Sequence, residues 1–194
     1  MIENKVLNSI KPCKVLIVLD RSGSMISIAQ ETINGYNRFI EEQKKIPGEC
    51  KVTLVQFDDV IETVYDDIDI NNIPALTNET FIPRGWTALY DAIGKSIRNL
   101  ETKVTNQKVI VAVITDGEEN ASKEFRTADQ VKALTTTMEN RGWNITFIAA
   151  NIKDVKSYSQ SMGIGRSMNY MANSDAVMDM YSELSQNVVQ CRTS

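Results

Sequence analysis

Two aspartates and three hydroxyl residues stand at places in this sequence where they could hold a hard metal ion. Asp20 follows the apolar run Lys14 to Leu19, and Asp116 follows Val109 to Ile114 with Thr115 between. Both runs are short, continuous and rich in Val and Ile, the pattern of strands buried on both faces. Both carboxylates would project from the same edge of a sheet. Beside Asp20 stand Ser22 and Ser24, with Gly23 between them to permit a tight turn. Alternate spacing in a curled loop can aim Asp20, Ser22 and Ser24 at a common centre. A third loop, Arg84-Gly85-Trp86-Thr87, leads into a helical pattern and offers the Thr87 hydroxyl. Two carboxylates and three hydroxyls suit Mg²⁺ or Mn²⁺, and Ca²⁺ less well. Mg²⁺ takes oxygens at about 2.0–2.1 Å in near-octahedral geometry and usually retains waters. With no histidine and no clustered thiolates, Zn²⁺ and copper are poor candidates.

The elements that must position these groups alternate along the chain. After the first strand, Ala29, Ile33, Tyr36 and Ile40 fall on one side of a helix that Pro47-Gly48 closes. Lys51 to Phe57 and Val60 to Tyr65 read as a hairpin about Asp58-Asp59, which places one antiparallel strand at a sheet edge. Asp66 to Pro83 reads as a long loop with one helical turn. A helix follows from Thr87, with Leu89, Ile93, Ser96 and Leu100 in register. Thr127-Ala128-Asp129-Gln130 is a capping box opening another helix, stopped by Arg141-Gly142. Asn144 to Ala150 is a further buried strand, Lys153 to Met162 a short helix, Ser167 to Met171 a short strand, and a last helix starts near Ser174. This order predicts an α/β, Rossmann-like, doubly wound domain: a mostly parallel sheet with one antiparallel edge strand and helices on both faces. Ligands of such folds bind beyond the carboxyl ends of the strands, where the motifs above lie.

The 194 residues suit one domain, 1–194, with its core over about 12–191. A net charge of −4, and no basic cluster larger than Lys44-Lys45, argue against nucleic acid as a ligand. No run is long and apolar enough for a membrane span, and Met1 to Lys5 lacks the basic start and apolar run of a secretion signal. Cys13, Cys50 and Cys191 are far apart and lack metal-site spacing, so they read as reduced thiols of a cytoplasmic protein. Cys13 and Cys50 would pair only in an oxidising compartment.

The motifs carry a family resemblance. Val-Leu-Ile-Val-Leu-Asp20-Arg-Ser22-Gly-Ser24-Met resembles the D-x-S-x-S signature of the von Willebrand factor A family, the first arm of its metal-ion-dependent adhesion site. Gly85-Trp86-Thr87-Ala88-Leu89-Tyr90-Asp91 is similar to the family's threonine loop, and Val-Ile-Thr115-Asp116-Gly117 to its closing aspartate loop. Trp86 departs from the pattern, standing where glycine is frequent. The resemblance covers Lys14 to Ala150 strongly and the rest by element order. It implies that Ser22 and Ser24 ligate the ion directly and Thr87 directly or through water. Asp20 and Asp116 would act from one shell further out. The open coordination position would take an Asp or Glu of a protein partner, so the expected function is an adaptor and not an enzyme.

The competing catalytic reading is a Mg²⁺-dependent phosphohydrolase of the haloacid dehalogenase type, with Asp20 as nucleophile and Asp116 as metal ligand. It lacks that family's second aspartate, replaced here by Ser22, and there is no phosphate-cradling GxxxxGK[ST] loop. The plainest reading of Asp20, Ser22 and Ser24 is a helix cap and turn. Glu118, Glu119 and Asn120 read as a solvated loop more readily than as a site rim. Trp86 reads equally as a partner contact or as loop packing. Asp58, Asp59, Asp66, Asp67 and Asp69 lack the spacing of a calcium loop and read as solvated surface. Met162, Met168, Met171, Met178 and Met180 read as core filler or helix face. Gly163-Ile164-Gly165 lacks the third glycine of a dinucleotide fingerprint.

Overall fold

A computed structural model describes residues 11–194, so the reading of Met1 to Lys5 lies outside the described residues. Six strands form one sheet in the order β3-β2-β1-β4-β5-β6. They are β1 (Cys13–Asp20), β2 (Cys50–Phe57), β3 (Ile61–Asp69), β4 (Lys108–Thr115), β5 (Asn144–Ala149) and β6 (Arg166–Asn169). Every neighbouring pair is parallel except β2 and β3. The helices are α1 (Ala29–Lys44), α2 (Leu89–Glu101), α3 (Ala128–Asn140), α4 (Val155–Ser161) and α5 (Ser174–Thr193).

The continuous apolar runs become central strands because both faces of the sheet are covered. In β1 every residue is buried, and alternate side chains serve different cores. Val15, Ile17 and Leu19 pack with α1 and α5, through Tyr36, Phe39 and Tyr181 among others. Leu16 and Val18 pack with α2 and α3, through Leu89, Ile93 and Val131 among others. Truncating one such strand residue to alanine costs about 2–5 kcal/mol. The α1–α5 contact is close because residue 35 is glycine: a Cβ there would lie 2.2 Å from Tyr181 Cδ2. At the start of α3 the expected capping box is present, with Thr127 and Gln130 each accepting from the other's backbone N–H.

Several boundaries differ from the sequence expectation. Strand β3 runs on to Asp69, and Ile70–Asn72 forms a single 3₁₀ turn after it, so the long loop begins later than Asp66. Its continuation past Tyr65 is hidden because the strand lies at the edge, has no fully buried residue and carries Asp66, Asp67 and Asp69 there. Its aspartates are engaged: Asp67 pairs with Lys14 and Lys51, Asp66 with Lys103, and Asp69 accepts from Asn71 N at 2.9 Å. The chain after Ser22 first makes a 3₁₀ turn, Gly23–Ile28, before α1 begins. Cys13 and Cys50 lie inside β1 and β2 as register partners, and all three cysteines are free thiols.

The chain leaves β1 toward β2 on one side, while β4 and β5 extend the sheet on the other. The carboxyl ends of β1 and β4 therefore flank the point where strand order reverses, and Asp20 and Asp116 stand there.

Candidate functional site

Asp20 ends β1 and is fully buried. Its Oδ1 accepts from Ser22 N at 2.6 Å and its Oδ2 from Thr115 Oγ1 at 2.5 Å. One carboxylate thus curls its own loop and ties β1 to β4. Burial pushes the Asp20 carboxyl up to about 6, against the lowering effect of those hydrogen bonds. The curl brings Ser22 Oγ within 3.1 Å of Ser24 Oγ, and Ser24 Oγ donates to Asp116 Oδ1 at 2.5 Å. With the Ser24 hydrogen given to Asp116, Ser22 is the donor between the two serines. Burial also raises the Asp116 carboxyl above the usual carboxylate range.

The threonine loop docks onto both of the others. Gly23 N donates to Gly85 O at 3.2 Å and Arg84 N to Arg21 O at 2.8 Å. Gly85 has φ +66°, and a side chain there would also strike Asp59, so the turn depends on glycine. Thr87 N donates to Asn120 Oδ1 at 2.8 Å, and Asn120 N donates back to Thr87 O at 3.0 Å. A Cβ built on Gly117 would stand 3.8 Å from Thr87 Oγ1 and 3.9 Å from Ser24 Oγ. Both hydroxyls therefore border the same point beside the Asp116 loop. All five expected residues come together at one edge of the sheet.

Among the described residues no three His, Cys, Asp or Glu side chains converge, so a cation here would depend on the hydroxyls. The donor set fits one. Asp116 Oδ2 is buried and has no hydrogen-bond partner among the described residues. Leaving such an oxygen unpaired costs about 1–3 kcal/mol, more if it is charged. A divalent ion beside Ser22, Ser24 and Thr87 would offset that.

Six supporting residues are not read as such from the sequence: Arg21, Asp58, Glu62, Arg84, Glu119 and Asn120. Asp58 is not solvated surface but 1% exposed. Its Oδ2 takes Arg21 Nε at 3.0 Å and Arg84 Nε at 2.9 Å, and its Oδ1 takes Val60 N at 2.6 Å. Arg21 also reaches Glu62 at 2.7 Å. The cluster clamps the serine loop, the hairpin and the threonine loop together. A signal existed: Asp58 directly follows a parallel strand, as Asp20 ends one and Asp116 follows another. Glu119 and Asn120 are likewise pinned and not free loop. Glu119 accepts from Tyr90 N at 2.8 Å and from Ala121 N and Ser122 N at 2.8 and 2.7 Å. Among the described residues Glu118 alone of that trio holds no such contact, and it is exposed. Trp86 is 69% exposed, which removes the loop-packing reading.

The geometry is that of an α/β sheet carrying a cluster of polar side chains at its topological switch point. Residues 14–183 match the model of the von Willebrand factor type A domain, and the chain belongs to that family. No curated protein matches the chain significantly. Among solved structures, the vWF domain of the type V pili tip protein Mfa5 from Porphyromonas gingivalis is similar at TM-score 0.67 and 12% identity. The match covers 95% of this chain and 97% of that one. The pilus adhesin SpaC from Lactobacillus rhamnosus GG, in an open conformation, matches at TM-score 0.70 and 13% identity, over 95% of this chain and 31% of that one. Proximal thread matrix protein 1 from the mussel byssus matches at TM-score 0.64 and 18% identity, over 93% and 46%. This chain thus spans less than half the length of two of these neighbours. At such identities the likeness establishes the fold. Among the described residues no helix is long and apolar enough to cross a membrane.

Proposed function

We propose that this domain is a metal-ion-dependent protein-binding module. Ser22, Ser24 and Thr87 would hold Mg²⁺ or Mn²⁺, with Asp20 and Asp116 orienting the hydroxyls and balancing charge. The bound ion would supply a positive centre that accepts an Asp or Glu carboxylate of a protein partner. The observation that carries this reading is the convergence of the Ser24 and Thr87 hydroxyls beside Asp116, whose second oxygen is buried without a donor among the described residues. Two neighbours of the same fold, a pilus adhesin and a pili tip protein, are in keeping with it.

The phosphohydrolase alternative is not favoured. A nucleophilic carboxylate must present an oxygen to substrate, whereas Asp20 is fully buried and both its oxygens accept hydrogen bonds. The adaptor reading is tested by calorimetric titration of Mn²⁺ and Mg²⁺ into the wild type, Ser24→Ala and Asp116→Asn. One ion should bind the wild type, and each variant should bind at least about tenfold more weakly. Equal affinities in all three proteins, or no binding by the wild type, would sink the proposal.

A further inference from the structure

Large apolar side chains scattered singly over a surface are ordinary. Here they are gathered. Six are exposed among the described residues: Ile26, Val60, Ile68, Ile82, Trp86 and Met171. Ile68 faces Val52 near the start of β2, at the far end of the sheet. The other five lie on loops at the same edge as Ser24, Thr87 and Asp116.

The loop contacts fix their arrangement around that site. Ile26 follows Ser24 in the 3₁₀ turn. Trp86 precedes Thr87, and its N–H donates to Asp59 Oδ1 at 3.4 Å, which sets it beside the hairpin tip that carries Val60. Ile82 is two residues from Arg84, whose N–H is held by Arg21 O. On the opposite flank, Tyr170 N donates to Ala149 O and Tyr170 Oη to Thr115 O, each at 3.1 Å. That places Met171 on the Asp116 side. Met171 is 69% exposed, so it is neither core filler nor a packed helix face.

Resting on the metal-site reading above, we infer that this rim selects a polypeptide segment in which one Asp or Glu is flanked by large apolar or aromatic side chains. The carboxylate would seat at the polar centre, and its neighbours would cover Trp86 and Ile26. Trp is a strong interface anchor because it buries much area while ordering few torsions. The charges on the rim narrow the choice further. The exposed Arg84 is paired with the buried Asp58, whereas Asp59 and Glu118 are exposed at the same edge and would repel a run of acidic residues or an anionic lipid surface. A single carboxylate in an apolar setting escapes that repulsion.

The test is selection of a displayed peptide library, with one fixed Glu and randomised flanks, on immobilised protein in Mg²⁺ and in EDTA. Mn²⁺ titration of the same proteins runs in parallel. Apolar and aromatic flanks should be enriched at least about tenfold over the input in Mg²⁺. The enrichment should vanish in EDTA and in the double variant Ile26→Ser, Trp86→Ser. That variant should bind Mn²⁺ as the wild type does, because both side chains point into solvent. Retained peptides with acidic or unselected flanks, or none retained, would overturn the rim proposal while leaving the metal reading standing. So would Trp86-dependent binding to phosphatidylserine vesicles in place of peptide selection. No Mn²⁺ binding by the wild type would overturn both.

Discussion

Replacing Asp58 by alanine tests whether the site is held by tertiary charge pairing or by the local turns alone. The Asp58 carboxylate is 1% exposed and Arg21 is 6% exposed. Arg21 Nη2 already lacks a partner among the described residues, and its Nη1 keeps Glu62, whose side chain is 56% exposed. Removing Asp58 therefore strands a buried guanidinium with one solvent-facing counter-charge. Breaking a buried pair in this way costs about 3–5 kcal/mol, and the surviving Glu62 contact points to the lower end, about 3 kcal/mol. Equilibrium urea unfolding in EDTA reads this directly as a lower midpoint at unchanged slope. Because Arg21 lies between Asp20 and Ser22, and Arg84 close to Thr87, the variant should also bind Mn²⁺ more weakly. The control is Arg84→Ala, which removes the exposed arm of the cluster and should leave the midpoint near the wild type. A second control, Arg21→Met with Asp58→Leu, removes both buried charges and should recover most of the lost stability. A loss of under about 1 kcal/mol in Asp58→Ala would refute the reasoning, because the buried pair would then contribute no more than a surface one.

Two further outcomes are expected. The Asp20 carboxyl is raised from 3.8 in the free residue to about 6 in the fold, so the folded metal-free protein takes up a proton that the unfolded chain has not yet bound. Its stability should rise by about 1 kcal/mol as pH falls from 7 to 5, toward a limit of about 3 kcal/mol that is complete only below the unfolded value of 3.8, and be lost again as pH rises through 6. Mn²⁺ affinity should move the opposite way over the same window; unfolding curves in EDTA that are flat with pH would contradict the assignment. In α1, Gly35→Ala gains about 1 kcal/mol of helix propensity but drives a methyl against the buried Tyr181 ring. A net loss of about 1–2 kcal/mol should lower the melting temperature, and an unchanged or raised value would show that the α1–α5 contact yields freely.

The readability of the sequence followed the range of the interactions. Central strands announce themselves because both their faces are buried, as in the continuous apolar runs Val15 to Leu19 of β1 and Val109 to Ile114 of β4. The α3 cap was legible because Thr127 and Gln130 are three residues apart and satisfy each other locally. The far end of edge strand β3 is not legible because no residue of the strand is fully buried and Asp66, Asp67 and Asp69 stand where an apolar stripe would mark it. Asp58 was misread for another reason. An aspartate after a strand reads as solvated unless its partners are known, and these lie 37 and 26 residues away.

What the amino-acid order determined alone is the alternation of buried strands and amphipathic helices, and the placing of Asp20, Ser22, Ser24, Thr87 and Asp116 at strand and helix ends. Periodicity and turn chemistry act over a few residues, so they survive in one dimension. Only the tertiary structure decided that both oxygens of Asp20 are spent on holding loops, and that one oxygen of Asp116 has no partner among the described residues. It alone buried Arg21 against Asp58 and gathered Trp86, Ile26 and Met171 around the hydroxyls. Those facts depend on which loops meet at the sheet edge, and that follows from strand order, which no local pattern encodes.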